Sequence, residues 1–155
     1  MSSKGREFLE EGRFEDALAF FEVSGDLRSM FGRAVALQLL GRFEQAEAAY
    51  EQVLAADPKQ EETLANLIAL NIERFDLPRV ELYSQRLLEV AADSAIALRG
   101  LIVVAVERRD YELAARYFAR LTPGEEGARD TVEYRLNWQI VDRLREHHVS
   151  VAHPY

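Results

Sequence analysis

One short pattern recurs along the chain, and its spacing constrains the fold more than any other feature. It appears as Gly12-Arg-Phe-Glu-Asp-Ala17, Gly41-Arg-Phe-Glu-Gln-Ala46, Phe75-Asp-Leu-Pro-Arg-Val80 and Arg109-Asp-Tyr-Glu-Leu-Ala114. Each copy places an aromatic residue or leucine three residues before a small or β-branched one. From Ala46 to Val80 is 34 residues, and from Val80 to Ala114 is 34 again. From Ala17 to Ala46 is only 29. A repeat of this length cannot bury an apolar face alone, so its copies must stack, and a stack of helices is the expected outcome.

The flanks supply two helices per unit. Leu27, Met30, Ala34, Leu37 and Gly41 recur at helical intervals before the second copy; Ala46, Ala49, Tyr50, Val53 and Leu54 do so after it. Ala56-Asp57-Pro58 then stops the helix. The next unit repeats this with Leu64, Leu67, Ile68 and Asn71, then Val80, Tyr83, Leu87 and Leu88. The last gives Leu98, Leu101, Ile102 and Ala105, then Ala114, Tyr117, Phe118 and Leu121. Small side chains at Ala17, Ala46 and Ala114 suit a close crossing inside each pair, because a larger group would push the helices apart. Val80 departs modestly from that rule.

Composition agrees. The chain has 155 residues, enough for one domain with a core, and 48% of them are apolar. A formal net charge of -8 argues against non-specific binding to nucleic acid, which needs concentrated positive charge. The absence of cysteine excludes disulfides, thiolate nucleophiles and cysteine zinc sites. The most apolar stretch, Ile96 to Val106, is interrupted by Arg99 and falls short of a membrane span. The polar start of the chain carries no apolar run of signal-peptide length. No membrane insertion and a cytoplasmic location are therefore expected.

These segments resemble tetratricopeptide (TPR) repeats. The residues that carry the resemblance in the second unit are Ala34, Leu37, Gly41, Phe43, Ala46, Tyr50 and Pro58. The third unit lacks the turn glycine, having Phe75, and puts Ile68 at the small position; the fourth has Arg109 for that glycine. The resemblance implies an all-α, right-handed αα-hairpin solenoid forming a single domain over 1–155. It comprises a partial repeat at 3–26, repeats at 27–60, 61–94 and 95–128, and a capping helix at about 123–147. In the partial repeat, Gly5, Phe8, Gly12, Phe14, Ala17 and Phe21 fit, and an early end of its second helix at Ser24-Gly25-Asp26 accounts for the 29-residue spacing.

Thr122-Pro-Gly-Glu reads as an N-cap with a capping box for the capping helix. Val132, Leu136, Ile140 or Val141, and Leu144 form its apolar side, with Tyr134 and Trp138 on an adjacent strip. These two aromatics are candidates for an interface, since such residues anchor binding surfaces, or else for core packing. The tail from His147 has no period and is expected to fray.

In the family's fold the first helices of successive units line a concave groove. Carried onto this sequence, the resemblance places Arg28, Phe31, Val35 and Gln38 there from the second unit. It places Glu62, Ala65, Asn66, Ala69 and Ile72 from the third, and Ile96, Arg99, Val103 and Val106 from the fourth. Phe31, Val35, Ala69, Ile72, Val103 and Val106 would then be exposed, and contiguous exposed apolar surface marks a binding site. A helical or extended peptide segment suits such a groove. The alternative is that the C-terminal helix folds back, or that the superhelix closes over these residues. The lysines of a carboxylate clamp are missing; Asn66 could bond a peptide backbone, or simply a neighbouring helix, and Arg99 an acidic side chain.

Chemistry is thinly represented. No His-Glu-x-x-His, phosphate loop or dinucleotide fingerprint occurs. The histidines, His147, His148 and His153, all fall in the last nine residues, where fixed ligand geometry is not expected. Glu10-Glu11 and Glu61-Glu62 are adjacent helical residues that do not face each other. Ser24 and Ser84 have no histidine partner. The sequence thus points to a protein-binding scaffold or chaperone-like adaptor with no enzymatic activity and no cofactor or metal. Its expected partner is another protein or peptide; self-association into a structural homo-oligomer is the alternative.

Overall fold

The computed structural model describes residues 3–121, together with Gln139, Asp142, Arg143, Arg145, Glu146 and His147. Residues 3–121 form α1 (Ser3–Glu10), α2 (Phe14–Glu22), α3 (Leu27–Leu39), α4 (Phe43–Ala56), α5 (Glu61–Glu73), α6 (Leu77–Val90), α7 (Ala95–Glu107) and α8 (Tyr111–Ala119). No strand occurs among the described residues. The chain divides into two compact units, Met1–Arg74 and Phe75–Tyr155. Within the first, α1 packs on α2, α2 on α3, α3 on α4 and α4 on α5. Within the second, α6 packs on α7 and α7 on α8. Within each unit, each helix thus lies against its sequence neighbour, as helices joined by short turns do. No described helix is long and apolar enough to cross a membrane.

The four repeated segments make the same turn. Gly12, Gly41, Phe75 and Arg109 all have positive φ, at 75°, 78°, 56° and 62°. This residue stops the preceding helix by sending the backbone into the left-handed region. After α3, the Gly41 N–H donates to the Gln38 carbonyl at 3.0 Å and the Arg42 N–H to the Leu37 carbonyl at 2.9 Å. The same pair recurs after α7, from Arg109 to Val106 at 3.0 Å and from Asp110 to Ala105 at 2.8 Å. The turn therefore survives loss of its glycine, but a side chain there costs about 1–2 kcal/mol, against about 0.5–1 kcal/mol of backbone entropy that glycine loses. Arg109 is exposed. We therefore expect Arg109→Gly to raise stability by about 0.5–1 kcal/mol, seen as a higher urea midpoint at unchanged slope.

Side-chain caps start four helices. The carboxylates of Asp26, Asp76 and Asp110 accept from the backbone N–H of Ser29, Arg79 and Leu113, and the Ser94 hydroxyl accepts from Ala97. The Ser24 hydroxyl, then the Ser29 N–H, hold the Asp26 carboxyl below its ordinary value.

The core of the first unit includes Phe21, Leu37, Tyr50, Val53, Leu64, Leu67 and Ile68, all essentially inaccessible to solvent. Ala17, Ala34 and Ala46 are fully buried at the close crossings. In the second unit Leu98, Ile102, Ala105, Val106, Ala114, Phe118 and Leu121 form one cluster. An ion pair recurs in the same register in both units: Arg74 with Glu47 at 2.9 Å, and Arg108 with Glu81 at 2.7 Å. Each joins the C-terminal end of a first helix, where positive charge is favoured, to the second helix before it.

The capping helix expected at about 123–147, with Tyr134 and Trp138, lies mostly outside the described residues. Gln139, Asp142, Arg143, Arg145 and Glu146 are helical. His147 stacks on Tyr111, ring centroids 3.9 Å apart and planes within 11°; the rest of the tail expected to fray lies outside the described residues. The Arg143 guanidinium lies 3.5 Å from the Glu107 carboxylate.

Candidate protein-binding face

The residues expected to line a groove do not all share one environment. Val35 on α3 is half-buried, as are Gln38 and Asn66, while Ala69 and Ile72 on α5 are exposed. Phe31 is not exposed. It keeps only 9% of its surface, because its ring tilts against Tyr50 of α4 with centroids 6.0 Å apart. In the second unit Arg99 and Val103 are half-buried on α7. Val106 is also not exposed, at 8%, since it joins the α7–α8 core cluster. Projection by repeat position treated both as inner-face residues. A bulky side chain at such a position turns instead into the gap beside the second helix, where it gains apolar burial.

Tyr50 organises the polar part of this face. Its hydroxyl donates to Gln38 Oε1 at 2.6 Å and accepts from Asn66 Nδ2 at 3.3 Å. One phenol from α4 thereby ties a side chain of α3 to one of α5. The Gln38 amide nitrogen and the Asn66 carbonyl oxygen have no further hydrogen-bond partner among the described residues. Burial pushes the Tyr50 phenol well above its ordinary value; the Asn66 bond pulls it down and the Glu62 carboxylate adds to the rise. The hydroxyl therefore stays protonated and keeps its donor role.

The sequence marked Tyr50 only as an apolar core position. The signal for its second role was chemical: a buried tyrosine must satisfy its hydroxyl, and Gln38 and Asn66 were the polar residues at inner-face positions within reach of α4. Asn66 makes the inter-helix hydrogen bond foreseen as the alternative to peptide binding, while keeping an acceptor free. Arg28 lies on a different feature, the rim of an open cleft lined also by Phe20, Val23 and Leu27. Among the described residues no three histidine or carboxylate side chains gather as metal ligands would.

Two family models, both described as tetratricopeptide repeat, match residues 28–60 and 80–129, together just over half of the chain. Among solved structures, a tetratricopeptide repeat protein from Parabacteroides merdae ATCC 43184 is similar at 22% identity with a TM-score of 0.73. The match covers 93% of this chain and 57% of that one, so the chain spans little more than half the length of that protein. MamA 41-end from Desulfovibrio magneticus RS-1 is similar at 15% identity and a TM-score of 0.69, covering 93% of this chain and 90% of that one. MamA MSR-1 C2 is similar at 15% identity and a TM-score of 0.64, covering 94% and 95%. At these identities the likeness is one of fold. No curated protein matches the sequence.

Proposed function

We propose, from the premise that the chain belongs to the tetratricopeptide repeat family, that it is a scaffold or chaperone-like adaptor that seats a helical or extended peptide segment against its first helices. The repeats are protein-interaction repeats. The observation that carries the finer reading is the Gln38–Tyr50–Asn66 bridge in the first unit. It holds one free amide donor and one free carbonyl acceptor at a fixed separation on a half-buried face. A peptide backbone presents the complementary pair, a carbonyl and an N–H, at every residue. Val35, Ala69 and Ile72 supply the apolar surface beside it, contributing about 25 cal/mol for each Å² removed from water. Phe31, packed under Tyr50, sets the ring's position and does not itself meet the peptide. In the second unit Arg99 and Val103 present the same positions on α7, where a guanidinium suits an acidic side chain of the peptide.

The test begins with affinity capture from native lysate and identification of the captured protein by mass spectrometry. The Val35→Glu, Val103→Glu double variant should keep its helical circular dichroism and lose that protein. A Lys59→Glu variant, altered at an exposed turn, should retain it. Undiminished capture by the double variant would remove the first helices as the binding face. A concentration-dependent mass in light scattering that this variant abolishes would instead favour the structural homo-oligomer.

A further inference from the structure

We propose that the segment seated on the first unit is an extended one carrying a basic side chain that pairs with Glu73, at the C-terminal end of α5. The pairing rests on the binding face proposed for the first helices and names what that face selects. Glu62, Asn66, Ala69 and Glu73 follow one another at helical intervals, so they share one side of α5. Asn66 is the acceptor end of the Tyr50 bridge, and Ala69 belongs to the apolar surface beside it. Both glutamates are exposed, and neither has a hydrogen-bond or ion-pair partner among the described residues. The whole of α5 carries three glutamates and no basic residue.

Two observations single out Glu73. It is the last residue of α5, where the helix dipole disfavours a carboxylate, so helix stability does not account for it. The adjacent Arg74 is already paired with Glu47 at 2.9 Å. The same position also recurs in the second unit, and there a guanidinium meets it. Glu107 ends α7 two residues before the left-handed turn residue Arg109, as Glu73 ends α5 two residues before Phe75. The Glu107 carboxylate has the Arg143 guanidinium 3.5 Å away, and Arg143 comes from a separate helical stretch of the chain. A carboxylate at this place thus takes a cation arriving from another segment. In the first unit no described residue supplies one.

The neighbouring charges leave this carboxylate uncompensated. The corresponding place on α3 holds Leu39, exposed and uncharged. Of the two arginines on α3, Arg33 lies 3.8 Å from Glu22, and Arg28 shares its rim with the ionised Asp26. At the other end of the strip the Glu62 carboxylate acts on the Tyr50 phenol and raises its value, so negative charge flanks the bridge as well. The bridge also sets the form of the segment. A helix has spent its backbone groups internally, whereas an extended chain offers them to the free amide donor of Gln38 and the free acceptor of Asn66. Asn66 and Glu73 are seven residues apart, about 10 Å along α5, a distance that an extended chain covers in about three residues.

The probe is the end-blocked peptide Arg-Ala-Val-Ala-Val-Ala-Arg, compared with counterparts bearing glutamate or glutamine at both ends. Its residues read alike in both directions, so an arginine falls toward Glu73 whichever way it runs. Each peptide is titrated into the full chain and followed by 15N–1H NMR. The arginine peptide should shift residues 35–39 and 66–73 and bind about tenfold tighter than the glutamate peptide. Glu73→Gln should remove most of that preference, and Glu73→Arg should invert it. Glu44→Gln, which deletes an equal charge at an exposed site on α4, should leave it unchanged. Val35→Gln should weaken all three peptides alike, because it alters the face and not its charge. Equal affinity for the three peptides, still weakened by Val35→Gln, would overturn the pairing and leave the face standing. A preference reduced as much by Glu44→Gln as by Glu73→Gln would also overturn it, by giving selectivity to overall charge. Absence of shifts on α3 and α5 at millimolar peptide would overturn both the pairing and the face. A dimer of the free chain that dissociates on Glu73→Gln would give the carboxylate to a second copy and likewise overturn the proposal.

Discussion

Phe21→Ala should lower the free energy of unfolding by about 3–5 kcal/mol, as deletion of a fully buried aromatic ring does. Phe21 on α2 is 1% exposed, and its ring lies against the backbone of two other helices, at Gly5 of α1 and Gly32 of α3. A Cβ built on Gly32 would stand 2.6 Å from the ring, and one built on Gly5 would also clash with it. The ring is therefore pinned from both sides and cannot swing away from either. This makes Gly32→Ala informative. Alanine in a helix interior is favoured over glycine by about 0.8–1.0 kcal/mol, so propensity alone predicts stabilisation. Overpacking costs about 1–3 kcal/mol, and here it should win. The Phe21→Leu, Gly32→Ala double variant should then be less destabilised than the two single changes added together, by about 0.5–3 kcal/mol of coupling. Urea denaturation followed by circular dichroism measures these three and the Phe21→Leu single variant that completes the cycle. A Gly32→Ala protein more stable than the parent would show that the ring is free to move.

Tyr50→Ala should cost about 3–5 kcal/mol, and Tyr50→Phe about 1–2 kcal/mol. The first loses a fully buried ring packed against Phe31; the second loses only the hydroxyl that bridges Gln38 and Asn66. The difference separates packing from the polar bridge. The bridge also has a pH signature. Burial raises the folded phenol's pKa, whereas a tyrosine in the unfolded chain ionises at about 10. A group with a raised folded pKa contributes stability that is fully present below its unfolded value and is lost as pH rises beyond it. Stability should therefore decline above about pH 10, and Tyr50→Phe should decline less steeply. Equal slopes in the two proteins would mean that the hydroxyl is solvated in the folded state.

Most of the architecture was legible in the sequence because it depends on local rules. The small residue of each repeat, the helical spacing of leucines and the Asp57-Pro58 stop are read one helix at a time, and the helices follow them. The 29-residue interval announced a shortened second helix, and α2 has nine residues against fourteen in α4. Phe75 and Arg109 looked like departures from a turn glycine, yet both adopt its left-handed backbone. The surrounding helices impose that geometry, whatever the residue prefers. What the sequence could not show was three-body packing. Gly32 carried no repeat signal, and its meaning appears only when the Phe21 ring arrives from another helix. Phe31 and Val106 were misjudged for the same reason: repeat position says which way a residue starts out, not whether a neighbour leaves room for its side chain to turn inward. Tyr50 was legible as core and not as a bridge, because the bridge needs α3, α4 and α5 together.

The measurement that bears most directly on the proposed binding face is amide hydrogen exchange across the whole chain, with and without the captured partner. Contact slows exchange where it suppresses local opening. Protection is predicted on α3, α5 and α7, strongest around Val35–Gln38, Asn66–Ala69 and Arg99–Val103, with α4, α6 and α8 little changed. Protection confined to α4, α6 and α8, with the first helices exchanging as in the free protein, would contradict the assignment.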